Sequence, residues 1–232
     1  MRNSSMSFKE ITLRIRPPPH SWVIELLKYY PAKVEILDCK PVSDEKVNEI
    51  FEIKCNPKHV KEIGEVLKKS QYIDYLEIFT LDAQKGKLYG ALRTSHCSVC
   101  KLFAKSSECF LGSAIYDVEE KYVKWSLIAH INLLEEIIKR LSENGVEVHI
   151  DSITKIGSED NEFSALTLNQ ERILKLAWKL GFFDFPRKLT LRDLSRALDL
   201  SPATVSECLR TGLRKMLLSY FEEKQKKITN RT

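Results

Sequence analysis

LTLRDLSRALDLSPATVSECLR, residues 189–210, holds two short amphipathic runs joined by almost nothing. Thr190 stands at the cap of the first run, LRDLSRALDL, and Ser201 followed by Pro202 opens the second, ATVSECLRTGLRKMLLSYFEE. A hydroxyl at a helix start accepts from an otherwise free backbone N–H, and proline at the first helical position gives up no hydrogen bond. Only Asp199 and Leu200 lie between the two runs. Two helices joined so tightly read as a helix-turn-helix, a motif that places its second helix in the major groove with the N-terminal residues toward the base edges.

The side chains sort themselves by helical spacing. Val205, Leu209, Leu213 and Met216 are expected to face a core. Ser201 marks the start, and Ala203, Thr204, Ser206, Glu207 and Arg210 fall on the open side, small and polar enough for close approach to a duplex. Arg210 could grip a base edge or a phosphate, while Arg187, Lys188, Arg192, Arg214 and Lys215 supply charge for flanking phosphates. Upstream, Thr167 caps LNQERILKLAWKLGFF, whose Leu168, Ile173, Leu174, Ala177 and Leu180 recur at helical spacing. Gly181 suits the helix end and Pro186 prevents its continuation. Phe182, Phe183 and Phe185 are expected to plug the small helical core.

Charge concentrates in this same segment. Residues 165–232 hold 14 Lys/Arg against 7 Asp/Glu, a balance of +7, which leaves 23 against 25, or −2, for the rest. A basic module beside a near-neutral one implies that a polyanion, here double-stranded DNA, meets only the first.

The run LTLNQERILKLAWKLGFFDFPRKLTLRDLSRALDLSPATVSECLRTGLRKML resembles the helix-turn-helix of the archaeal bacterio-opsin activator family of transcription regulators. The "LT…Q…L" opening, the "GFFDFPRKLTL" block and the "LS..LDLSPATVSECLR" ending occur in order over about fifty residues. The resemblance implies a DNA-binding transcription factor with a tetrahelical module similar to region four of sigma factors. It covers less than a quarter of the chain, so effector and regulon do not carry over.

Residues 157–166, GSEDNEFSAL, are polar and acidic and read as a linker between residues 1–156 and a DNA-binding domain at 167–232. Before the linker, FKEITLRIR alternates like a strand, SWVIELLKYY has helical spacing, AKVEILDCKPV and KVNEIFEIKC read as strands, PKHVKEIGEVLKKS as a helix and YIDYLEIFTLD as a strand. This βαββαβ order recurs in KLYGALRTS, CSVCKLFAKS, CFLGSAIYDV, KYVKWSLIAH, INLLEEIIKRLSEN and VEVHIDSITKI. The expected fold is α+β: tandem ferredoxin-like units, about 7–83 and 86–156, followed by an all-α helix-turn-helix domain. The first region would sense a ligand, a metal or redox state, or would dimerise.

His96–Cys100, HCSVC, offers two thiols at a spacing that suits adjacent positions on one tetrahedral ion. His96, Cys97, Cys100 and Cys109 form a candidate set for zinc or another thiolate-bound metal, with a redox pair or plain buried thiols as the competing readings. Cys39 and Cys55 fall on neighbouring strands as free thiols or a disulfide, and Trp22, Trp125 and Trp178 are expected in cores. No phosphate loop, nucleophile elbow or paired-histidine metalloprotease motif occurs, so no enzyme is expected. The alternative is a metal- or ligand-binding enzyme, or an interaction protein, whose helical end is a docking module. With no run near the roughly 20 apolar residues of a membrane span, a cytoplasmic protein is expected. Its expected partners are a second copy of the chain and the transcription machinery.

Overall fold

A computed structural model describes residues 8–17, 19–43, 45–97, 109–117, 122–155 and 166–229. The chain divides into two compact units, Met1–Ile156 and Gly157–Thr232. Among the described residues the first unit carries eight strands: β1 (Phe8–Ile15), β2 (Ala32–Pro41), β3 (Val47–Cys55), β4 (Tyr75–Asp82), β5 (Lys87–Thr94), β6 (Cys109–Asp117), β7 (Val123–His130) and β8 (Val148–Lys155). Three α-helices accompany them: α1 (Trp22–Tyr29), α2 (Val60–Lys69) and α3 (Ile131–Glu143). The short helix expected at CSVCKLFAKS lies outside the described residues.

All eight strands join one antiparallel sheet in the order β4-β5-β3-β2-β6-β7-β1-β8. The elements follow one another as the alternation implied, but the pairing does not keep to two consecutive units. β1 lies between β7 and β8, with Ile11 opposite Leu127 and Leu13 opposite Trp125. β5 lies between β3 and β4, with Leu88 opposite Ile53. Each stretch thus gives its first strand to the other half of the sheet. An alternating apolar strand fits any antiparallel neighbour that continues the same buried face, so its sequence leaves the partner open.

That buried face is continuous across the seam. Val34 and Ile36 of β2 stand opposite Ile53 and Phe51 of β3 on one side and Tyr116 and Ala114 of β6 on the other. Trp22, Val23 and Leu26 from α1, Ile63 and Leu67 from α2, and Leu134, Ile137 and Leu141 from α3 complete a single apolar core with them. Ser21 caps α1 by accepting from the Ile24 N–H at 3.3 Å. Cys39 and Cys55 form no disulfide: Cys39 stands opposite Glu49 and Cys55 opposite Ala32, at opposite ends of the β2–β3 ladder.

The second unit has three helices among its described residues: α4 (Leu168–Lys179), α5 (Leu191–Leu198) and α6 (Pro202–Thr229). Residues 180–186, after α4, form turns and bends. Thr167 and Gln170 form a capping box at α4, and Thr190 and Asp193 form another at α5. Ile173, Leu176, Ala177, Leu180, Leu189, Leu194, Leu198, Val205 and Leu209 are buried. α4 and α6 approach closely at Gly212, where an added Cβ would stand 2.7 Å from Leu174 Cδ1.

Candidate nucleic-acid interface

The α5–α6 joint is built by backbone and cap together. Asp199 ends α5 in the left-handed region at φ 53°, which turns the chain within one residue. The Leu200 N–H donates to the Ser195 carbonyl at 3.0 Å, closing the turn beneath α5. Ser201 Oγ then accepts from the Thr204 N–H at 3.1 Å and lies 2.8 Å from Thr204 Oγ1, so α6 starts sharply.

Beyond this start, one side of α6 is buried and the other is open. Val205 and Leu209 fill the core, while Ser201, Ala203, Thr204, Ser206, Glu207, Arg210 and Arg214 are exposed. Arg192 is exposed in the first turn of α5. Three other expected cations already have partners. The Arg187 guanidinium lies 4.8 Å from the centre of the Phe182 ring, Lys188 pairs with Asp184 at 2.9 Å, and Lys215 donates to Gln170 Oε1 at 3.1 Å. Gln170 also donates to Thr211 Oγ1 at 3.0 Å, tying α4 to the middle of α6. Sequence spacing did not reveal that link, since polar residues 41 positions apart carry no pattern.

Several apolar assignments need correction. Phe183 is exposed and Phe185 is fully so; only Phe182 is partly covered, by Phe183 and Arg187. They do not plug the core, because Leu180 and Leu189 already close it beneath the turn. Trp178 is 66% exposed and Met216 38%, since the apolar phase of each helix runs on past the residues that could cover it.

The candidate metal residues are divided. His96 packs edge-on against Tyr72 at 5.1 Å between ring centres, with Nδ1 3.3 Å from Ser95 Oγ. Cys97 is half-buried and forms no disulfide. Cys100 lies outside the described residues, and Cys109 begins β6 with its side chain outside the description. Among the described residues no three His, Cys, Asp or Glu side chains converge on a common point.

Cys97 instead borders a cleft that spacing alone had not indicated. Trp22, Glu49, Thr94, His96, Cys97, Tyr116 and Trp125 are among its lining residues. Glu49 is 4% exposed, lies on the core face of β3 with Val47 and Phe51, and accepts from Trp22 Nε1 at 2.8 Å. Burial, and after it the Cys97 sulfur, push its carboxyl well above the ordinary range, with Trp22 opposing them. The one signal available was an acidic residue on the inward phase of an alternating strand, VNEIFEIKC.

A short basic helix pair with a capped, outward-facing second helix is the architecture of a helix-turn-helix DNA-binding domain. Residues 166–217 match the family described as "HTH DNA binding domain", and this C-terminal module belongs to the bacterio-opsin activator-type helix-turn-helix family. The chain is also similar to a Haloferax volcanii protein described as "Putative transcriptional regulator", with 38% identity over 60 residues. That match covers 26% of this chain and 10% of the relative's length.

Proposed function

We propose that this chain is a DNA-binding transcription regulator that reads the major groove with the N-terminal half of α6. Ala203, Thr204, Ser206, Glu207 and Arg210 face the base edges, and Arg187, Lys188, Arg192, Arg214 and Lys215 hold phosphates on either side. The observation that carries this reading is the division of α6, buried through Val205 and Leu209 and open through Arg210 and its polar neighbours. Residues 1–156 serve as the input region, residues 157–166 as the linker, and a homodimer on a two-fold related site as the working species. Contact with the transcription machinery is the output.

The sheet supports the input reading. The orders β4-β5-β3-β2 and β8-β1-β7-β6 are those of two split βαβ units that have exchanged their first strands. The cleft of Glu49, Trp22 and Cys97 lies among strands of both halves, so an effector there would bear on the whole sheet.

Gel-shift titration against a library of duplex fragments tests the DNA reading. Affinity should fall steeply with added salt, Arg210→Ala should cost about 1–3 kcal/mol, and Arg210→Glu should abolish specific binding. Binding indifferent to both salt and Arg210→Glu would sink it.

A further inference from the structure

α6 continues beyond the end of the matched domain at residue 217, and its apolar side chains there are exposed among the described residues. Met216, Leu217, Leu218, Tyr220 and Phe221 are all exposed, and Leu213 is half-buried. Such a run of large apolar side chains on one exposed segment marks an interaction surface. We propose that this face is a dimer interface, in which Met216, Leu217, Tyr220 and Phe221 of two copies of the chain pair antiparallel across a two-fold axis.

Two features of α6 select a second copy as the occupant. The first is spacing: Met216, Leu217, Tyr220 and Phe221 stand at i, i+1, i+4 and i+5, a self-complementary set in which Leu217 of one antiparallel copy meets Tyr220 of the other and Met216 meets Phe221. The second is direction. At 3.6 residues per turn, the mean direction of these four side chains lies about 80° from that of Ala203, Thr204, Ser206, Glu207 and Arg210. A two-fold axis that relates antiparallel helices runs perpendicular to their common plane, a quarter turn from the contact. Both reading faces then point to the same side, where one duplex can meet both.

This inference rests on the major-groove reading above and moves dimerisation from the sheet unit to the end of α6.

Sedimentation equilibrium of the full-length chain without DNA, at micromolar concentration, is the test. The wild type should be a dimer. Leu217→Glu and Tyr220→Lys should each weaken it by more than about a hundredfold, because each buries a charge with no partner. In an antiparallel pair Leu217 of one copy lies beside Tyr220 of the other, so the double variant brings the opposite charges together. It should recover at least about tenfold over either single change, with α-helical content by circular dichroism unchanged throughout. A wild-type monomer, a dimer that neither substitution weakens, or a double variant no tighter than the singles would overturn the interface. DNA binding is read separately: a wild-type dimer, weakened by these substitutions, that binds no duplex fragment sinks the groove reading and leaves the interface standing. A chain that binds DNA with a salt dependence while staying monomeric does the reverse.

Discussion

The two units hold themselves together at different ranges along the chain. In the sheet unit, β1 is secured by β7 and β8, so Leu13 meets Trp125 across one ladder and Ile150 across the other. Its ends are tied in the same way, as where Arg14 pairs with Asp151 at 2.6 Å. In the helical module the decisive bonds are local. Thr167 and Thr190 each close a capping box within three residues, and Ser201 reaches only to Thr204. The difference teaches that the module depends on a handful of buried side chains and caps, whereas the sheet depends on a distributed network in which no single contact dominates.

The largest expected effect follows from the small core of the module. Leu194 is fully buried on α5 beneath α6, and Leu194→Ala should cost about 2–5 kcal/mol. Thermal denaturation should then show the helical module melting first, with the sheet transition unmoved. A single cooperative shift of both transitions would break the comparison by showing that the units unfold together.

A smaller effect isolates the caps. Thr190 Oγ1 accepts from the Asp193 N–H at 3.2 Å, and the Asp193 carboxylate accepts in return from the Thr190 N–H at 2.9 Å. Thr190→Ala removes the first of these bonds and should cost about 1 kcal/mol. Bonds from the Thr190 side chain, and after them those from its backbone and Arg196, hold the Asp193 carboxyl below its ordinary value despite some burial. A depressed carboxyl contributes stability that is present above its unfolded value and lost as pH falls through the folded one. The deficit of Thr190→Ala should therefore shrink in acid, as urea denaturation at descending pH would show; a deficit constant with pH would remove the carboxyl from the account.

The same contrast explains what the sequence made legible. Local signals were sufficient for the module: hydroxyl caps, Pro202 and the Val205–Leu209 phase located its helices and its open face. They failed where the apolar pattern outran its cover, at Trp178, Phe183, Phe185 and Met216, since periodicity records a face and not what lies against it. In the sheet unit the strands and helices were equally legible, but Ile11, Leu13 and Ile15 would serve any neighbour with a matching inward phase. Pairing over more than a hundred residues is decided by the assembled core, and no segment announces it. Gln170, Thr211 and Lys215 were missed for the same reason.

Glu49 sharpens the comparison from the side of the sheet. Its carboxyl occupies a place that Val47 and Phe51 fill with apolar groups, and its hydrogen bond from Trp22 is made deep beneath α1. Because burial and the neighbouring Cys97 raise its folded value well above the ordinary one, the folded chain holds a proton that the unfolded chain releases. The resulting stability is fully present below the unfolded carboxyl value and is lost as pH rises toward the folded one. Glu49→Gln keeps an oxygen that can accept from Trp22 and has no proton to release. It should match the wild type below the unfolded carboxyl value, the smallest effect of the set, and become the more stable protein as pH rises above it, measured by urea denaturation across that range. If instead Glu49→Gln falls below the wild type at neutral pH, the charged carboxylate is the form the cleft stabilises.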